Sequence, residues 1–308
     1  MHEPSSAPAM AEALLLSGLD VRASIFHIGQ YCGRWEASLS GRLRAGFHIV
    51  LHGDCWLHTP QGEAVALRPG DAVFFLRDTP HVLSPRPAPP DFSAPVQRRD
   101  MTPLDSAMPQ ATGLVCGFLD FRPGLSGLLI ESLPSAILLH GQAPGLQAAR
   151  TLVDLLVAEM VGRPGEPSPL IERLVELLLF YALRHHARYD TQAHGLLALA
   201  RDPGMASLIG AMIAEPQLAW TVDMMASHAH MSRASFHRRF SLLAATTPAQ
   251  LLLYVRMRAA VGALAEGMSV EQVCERVGYQ SPGAFSRAFT RAMGCSPAVW
   301  RKERASHG

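Results

Sequence analysis

Thr221-Val-Asp-Met-Met-Ala-Ser-His-Ala-His-Met-Ser-Arg-Ala-Ser-Phe-His-Arg-Arg-Phe240, closed by Thr247-Pro248, is written a second time as Ser269-Val-Glu-Gln-Val-Cys-Glu-Arg-Val-Gly-Tyr-Gln-Ser-Pro-Gly-Ala-Phe-Ser-Arg-Ala-Phe289, closed by Ser296-Pro297. Phe236, Phe240 and Pro248 recur 49 residues later as Phe285, Phe289 and Pro297, whereas Val222 recurs 48 later as Val270. The second copy therefore carries one extra residue in its turn. Each copy reads as a short helix, a tight turn and a second helix with Phe at i and i+4. That is a helix-turn-helix, whose second helix can enter the major groove of DNA. The turn of the second copy has Gly278, which tolerates a left-handed backbone. The first has His230 at the matching place, so a left-handed histidine is expected there.

Working outward, Asp202-Pro203, Thr247-Pro248 and Ser296-Pro297 are N-cap and N1 pairs. They predict a first helix ending before Pro216 and a long helix from Pro248 to Glu266, stopped by Gly267. Charge agrees with a nucleic-acid partner for this part. Residues 1–200 hold 15 basic and 19 acidic side chains, and residues 201–308 hold 12 and 7. A basic C-terminal part beside an acidic N-terminal part is the asymmetry of a chain with one domain on phosphate.

At 308 residues the chain has room for about two domains, each with its own core. Hydrophobic residues at 48% and charged residues at 17% exclude a disordered chain. No apolar run approaches a membrane span, and Met1-His-Glu-Pro-Ser-Ser lacks the basic start of a signal peptide. A cytosolic protein with no membrane contact is expected. Cys32, Cys55, Cys116, Cys274 and Cys295 are odd in number and scattered, with no CxxC spacing. They read as neither a disulfide framework nor a zinc finger.

From about 18 to 125, short strand-like runs alternate with turn signals. They are Val21–Ile28, Phe47–Leu51, Cys55–His58, Glu63–Leu67, Ala72–Leu76, His81–Leu83 and Leu114–Phe121. Pro85 to Pro109 reads as a long loop. From about 145 to 195 the pattern is helical, with Gly162 to Pro169 separating two segments. The second places Leu174, Leu177, Leu178 and Tyr181 on one side. Either the pair packs on the strands, or this stripe makes a homodimer.

Trp220-Thr-Val-Asp, Met231-Ser-Arg-Ala-Ser-Phe236, Phe240, Thr247-Pro248, Val277-Gly-Tyr279, Phe285-Ser-Arg-Ala-Phe289 and Gly294-Cys-Ser-Pro297 resemble the AraC/XylS family of bacterial transcription regulators over roughly 100 residues. The N-terminal part resembles the cupin-type sensor domain of a subset of that family. It does so at Tyr31-Cys-Gly33, Trp35, Phe47–Gly53, Leu67-Arg-Pro-Gly-Asp71, Pro80-His81 and Leu114-Val-Cys-Gly117. Ala229–Ser235, Val115-Cys-Gly117 and Ser132-Leu-Pro134 resemble the members that respond to reactive chlorine. The resemblance implies an α+β chain: a cupin-like β-barrel sensor domain (1–130), a helical linker and dimerisation segment (131–198), and an all-α DNA-binding domain with two helix-turn-helix motifs (199–308). It implies a homodimer on double-stranded DNA, RNA polymerase as partner, and a small-molecule or oxidant effector.

The reading face can be derived without the family. Phe236 and Phe240 must face the core, so Arg233, His237 and Arg238 point away from it. Arg can grip a guanine edge or a phosphate, and Ser232 and Ser235 can do either more weakly. In the second copy Gln280, Ser281, Ala284, Ser286 and Arg287 remain once Phe285 is in the core. Pro282 and Gly283 supply no hydrogen-bonding side chain, so phosphate holding is expected there more than base reading.

A metal-dependent cupin enzyme presents two histidines one residue apart, a Glu and a later His. Here His48, Val50 and His52 would share one strand face, and no Glu follows until Glu63. A cupin-type metalloenzyme is therefore the alternative and a regulator the main reading. Cys32, His48, His81 and Cys116 are the candidate effector, redox or metal pocket, with a metal ion as its possible cofactor. Cys55, Cys274 and Cys295 read as packing residues.

Overall fold

A computed structural model describes residues 7–60, 62–93, 100–104, 108, 110–122, 124–162, 168–189, 195–244 and 246–305. In chain order the elements are α1 (Ala7–Leu16), β1 (Val21–Tyr31), β2 (Ala45–His52), β3 (Cys55–His58), β4 (Val65–Leu67), β5 (Ala72–Phe75), β6 (Val82–Ser84), β7 (Thr112–Phe121), α2 (Leu125–Glu131) and β8 (Ala136–Leu139). There follow α3 (Gln147–Gly162), α4 (Pro169–Tyr189), α5 (Leu196–Leu199), α6 (Pro203–Ala214), α7 (Val222–His228), α8 (Arg233–Leu243), α9 (Pro248–Ala265), α10 (Val270–Arg276), α11 (Pro282–Met293) and α12 (Pro297–Ala305). The predicted Pro85–Pro109 loop lies in part outside the described residues, as does most of the 162–169 breaker.

The chain divides into two compact units. One comprises Val21–Asp120 and Pro134–Tyr189, the other Met1–Asp20, Phe121–Leu133 and Asp190–Gly308. The units interleave along the sequence, so they do not coincide with cuts at 130 and 198.

In the first unit the strands form two sheets, one ordered β1-β7-β2-β5-β8 and the other β4-β3-β6. Among the described residues these do not close into a barrel. The core lies between them, with Val50, Val73, Phe75, Leu114 and Cys116 from one sheet meeting Cys55, Leu57, Leu67 and Leu83 from the other. β8 falls where helix was expected. Its four residues, Ala136-Ile-Leu-Leu, are decided by pairing: Ala72 stands opposite Leu139 and Phe75 opposite Ala136. The Arg68-Pro-Gly-Asp71 turn has a structural purpose. The buried Asp71 carboxylate accepts from Arg68 N at 2.9 Å and from Gly141 N at 2.8 Å, joining the turn to the segment after β8. Helices α3 and α4 pack together, and α4 lies on β1 and β8. Its inward stripe is Ile171, Val175, Leu178, Leu179, Ala182 and Leu183. Leu178 is thus core and leaves the expected outer stripe. Leu170 and Leu177, 60% and 47% exposed, remain outside, with Leu174 and Tyr181 half-buried.

The second unit is helical, and α9 is its axis. Leu251, Tyr254, Val255, Met257, Ala260 and Leu264 of α9 are buried. The expected caps form: Thr247 and Gln250 make a capping box, and Asp202 accepts from Gly204 N and Met205 N. Two segments far away in sequence complete this unit. Helix α1 packs on α6, and α2 packs on α9 and α11. Tyr254 donates its buried hydroxyl to Leu15 O at 2.6 Å, and Gly18 leaves room for that hydroxyl.

Candidate DNA interface and buried thiol–imidazole chain

Both helix-turn-helix motifs form as α7–α8 and α10–α11. His230 has φ 56° and Gly278 φ 75°, so both turns use a left-handed residue at the expected place. At Gly278 a side chain would also strike the backbone of Gln217. Phe236, Phe240, Phe285 and Phe289 are almost wholly buried. That fixes the rotation of α8 and α11 and turns the opposite faces outward.

On α8 the side chains of Arg233, His237 and Arg238 are exposed, and Ser235 is half-buried. Ser232 is the N-cap: its Oγ accepts from Ser235 N at 3.2 Å and donates to Ser235 Oγ at 3.1 Å. Arg233 is held by Asp223 of α7, Nη1 to Oδ2 3.3 Å. Arg239 does not join the reading face, because it donates to Asp202 Oδ2 at 2.8 Å. On α11 Ser281 is the N-cap, accepting from Ala284 N at 3.2 Å. Gln280 and Arg287 are exposed, while Ala284 and Ser286 are half-buried. Asp223 and Asp202 were not visible as partners in the sequence. The acid ten residues before Arg233 was the signal for the first; nothing local announced the second.

In the sheet unit three of the four candidate residues meet. The register of β2 on β7 sets His48 opposite Cys116. His48 Nδ1 lies 3.0 Å from Cys116 Sγ, and His48 Nε2 lies 2.9 Å from His81 Nε2. His81 Nδ1 lies 2.7 Å from Thr79 O. A carbonyl only accepts, so His81 carries its proton on Nδ1 and accepts at Nε2. His48 then donates from Nε2 and accepts at Nδ1, where the thiol of Cys116 donates. One proton order satisfies every link. Burial, with His81 as a second cause, holds His48 well below the usual histidine range. Burial lowers His81 to about 4. Burial pushes the Cys116 thiol upward, with Cys55 adding to the effect. The chain is therefore neutral near pH 7, with a protonated thiol. The ring of Phe75 stacks on His81 at 3.8 Å between centroids.

Cys32 does not join this chain. It is exposed, with its Sγ 3.9 Å from Met108 Sδ. The β2–β7 register shifts between Val50 and His52, so His52 stands opposite Gly113, and its Nδ1 lies 3.1 Å from Ala111 O. A metal ion does not fit the remaining three. The His48 ring stands between Cys116 and His81 and gives each a different nitrogen, so the donors do not converge. Among the described residues no group of three His, Cys, Asp or Glu is placed to hold a metal. Cys55, its thiol pushed up to about 12 by burial and by Asp54 and Asp71, packs in the same core. Cys274 is buried, and its Sγ donates to Tyr279 O at 3.3 Å.

Among the described residues no helix is long and apolar enough to cross a membrane. A cupin family model matches residues 13–188, and a helix-turn-helix domain model matches residues 225–303. The RCS-specific transcriptional activator RclR of Escherichia coli is 28% identical over 83% of this chain and 84% of its own length. A putative AraC-like transcription regulator of Streptomyces lividans is 26% identical over 88% of this chain and 90% of its own. The DNA-binding domain of AdpA, solved with a target DNA, is 32% identical over 33% of this chain and 93% of its own, with a TM-score of 0.31. With a cupin domain ahead of paired helix-turn-helix motifs, and with relatives along most of its length that are transcription regulators rather than enzymes, the chain belongs to the AraC/XylS family of DNA-binding transcription regulators.

Proposed function

We propose that this regulator reads DNA with α8 as its base-reading helix and α11 as its phosphate-holding one, and that the sheet unit senses an effector. The observation that carries the first part is the burial of Phe236 and Phe240, which turns Arg233, His237 and Arg238 out on one exposed face, with Arg233 paired to Asp223. Exposed Gln280 and Arg287, with the Ser281 cap, offer fewer base-reading groups on α11. For two such helices in successive major grooves, the sites lie about 34 Å apart. Footprinting on DNA upstream of the gene and its neighbours is expected to show two protected segments one helical turn apart. A chain that protects no segment overturns this reading.

The sensing part rests on His48, His81 and Cys116, a polar chain in an otherwise apolar core. Such a chain is costly to bury unless satisfied, and it can exist in only a few proton orders. A small-molecule or oxidant effector acting on the sheet unit would change output at a promoter through RNA polymerase. The outer stripe Leu170, Leu174, Leu177 and Tyr181 on α4 is the surface we assign to a second copy of the chain. A two-fold pair brings two DNA-binding units to paired sites.

A further inference from the structure

The buried chain does not end at Thr79. His81 and Thr79 belong to the turn between β5 and β6, and the same turn carries Asp78. The Asp78 carboxylate accepts from Gly41 N at 2.9 Å through one oxygen and from Leu43 N at 2.7 Å through the other. Leu39 N points at His81 Nε2 from 3.4 Å. The 39–43 loop is thus held by this turn at three backbone amides. It needs holding: Leu43 has φ 55°, a left-handed conformation that leucine rarely adopts, and its side chain is 93% exposed. An apolar side chain in a disfavoured conformation stands at the surface because Asp78 fixes the backbone beneath it.

Proton order connects the two ends. In the order derived above, His81 Nδ1 donates to Thr79 O and Nε2 accepts from Leu39 N. If the chain runs the other way, His48 donates from Nδ1 towards Cys116 and His81 donates from Nε2 towards His48. His81 Nδ1 then faces the Thr79 carbonyl as a second acceptor, and Nε2–H faces the Leu39 N–H as a second donor. Both contacts that join His81 to the turn and the loop turn repulsive together. Only the proton on Cys116 favours the first order from the far end.

We infer that the proton order of the Cys116–His48–His81 chain and the anchoring of the 39–43 loop form one two-state element, so that an effector that withdraws the Cys116 hydrogen bond from His48 releases Leu43 at the surface. This rests on the reading of the sheet unit as the sensor. The two ends of the element are a buried thiol and an exposed leucine, and the 77–81 turn is their shared part.

The test uses the full chain without DNA. Nitrogen-15 spectra of the histidines are expected to show His48 as the Nε2–H form and His81 as the Nδ1–H form; the opposite order in either ring overturns the inference. Cys116→Ser keeps a donor and is expected to leave amide exchange at Gly41 and Leu43 as in the parent. Cys116→Val keeps the volume, removes the donor, and is expected to speed that exchange by about tenfold while the β2 and β7 amides stay protected. Equal exchange in the two variants, fast or slow, shows a packing effect or none, and the inference falls. Coupling is reciprocal, so the surface variant Asp78→Ala covers the case in which Cys116→Val does not fold. It is expected to shift the His81 nitrogen signals and raise the labelling rate of Cys116. Asp120→Ala, which removes the ion-pair partner of Arg44 at the other end of the loop, is expected to do neither. Unchanged His81 signals and Cys116 labelling in Asp78→Ala overturn the inference. Failure here leaves the DNA-binding reading intact. A promoter that ignores every effector while the coupling holds would count against the sensor role instead.

Discussion

Arg239 Nε donates to Asp202 Oδ2 at 2.8 Å, while Asp202 Oδ1 caps α6 by accepting from Gly204 N and Met205 N. One buried carboxylate therefore joins the recognition helix α8 to the helix that supports it. Asp202→Ala removes a cap and leaves a guanidinium without its partner. The expected loss is about 2–3 kcal/mol of stability in the helical unit. Urea unfolding followed by helical signal measures it, and a loss under about 0.5 kcal/mol, the range of a neutral surface change, would show that the link does not hold α8.

Arg233 is tied to Asp223 before DNA arrives. Both side chains are about two-thirds exposed, so the pair itself adds little stability. Arg233→Ala and Arg238→Ala are each expected to cost about 1–3 kcal/mol of DNA affinity if they read bases. Asp223→Ala removes a negative charge from the proposed DNA-facing side and frees Arg233, so it is expected to bind tighter at low salt. That gain should fade as salt rises. A mobility-shift titration at two salt concentrations decides, and an Asp223→Ala affinity equal to or below the parent's contradicts the orientation of this face.

The repeats made the helical part legible, because buried Phe pairs, N-cap residues and a left-handed turn position are all local signals. His48 and His81 were legible as interior residues only through the resemblance of their two blocks to a cupin-type sensor domain. What the sequence could not show is who stands opposite. Cys116 reaches His48 through strand register across 68 residues. Cys32 carried the same chemistry by composition, yet it lies beyond the end of β1 and is exposed. Likewise α1 joins α6 across more than half of the chain, and no local pattern names a partner at that distance. The run Ala136–Leu139 is too short for periodicity to separate strand from helix, and β5 decides it.

The neutral histidines give the sheet unit a pH dependence with a definite sign. His48 and His81 bind protons less readily when folded than at their ordinary value of 6.5. The unfolded chain therefore takes up more protons on acidification, and stability falls as pH drops below about 6.5, levelling only below the folded values. With His81 at about 4, its share between pH 6.5 and 5 is about 2 kcal/mol. His140 works the other way. Hydrogen bonding to Asp71 raises it, so its contribution is present in acid and lost as pH rises through its folded value. Urea midpoints at pH 7 and pH 5 are expected to fall with acid, and to fall less in His81→Gln. A midpoint that rises towards pH 5 would mean that the two rings are not held neutral.

Leu170 and Leu177 of α4 are exposed, and their neighbours Leu174 and Tyr181 are half-buried on the same side. If a second copy covers this stripe, Leu177→Arg should lower the mass seen by sedimentation from dimer to monomer without lowering the unfolding midpoint of the sheet unit. A monomeric parent chain removes the assignment. So does a variant that stays dimeric, because a buried Arg in an apolar interface has no partner there.

The thiols should separate by reactivity. Thiolate is the reacting form, so a thiol held protonated by burial reacts slowly even when a histidine touches it. Cys116 is such a thiol: it is buried, its proton is engaged by His48, and its ionisation is pushed upward. Cys55, pushed up to about 12, is another. Cys32 is exposed beside the Met108 thioether. In the native chain a maleimide is therefore expected to reach Cys32 first and Cys116 only after unfolding, read by peptide mass spectrometry over time. This moves any fast oxidant chemistry from Cys116 to Cys32 and leaves Cys116 as the inner end of the hydrogen-bonded chain. Promoter output under oxidant should then be lost in Cys32→Ser and retained in Cys116→Ser, whose hydroxyl still donates to His48. Native labelling of Cys116 at the rate of Cys32 would mean that the thiol is ionised, and the proton order assigned to the chain would be wrong.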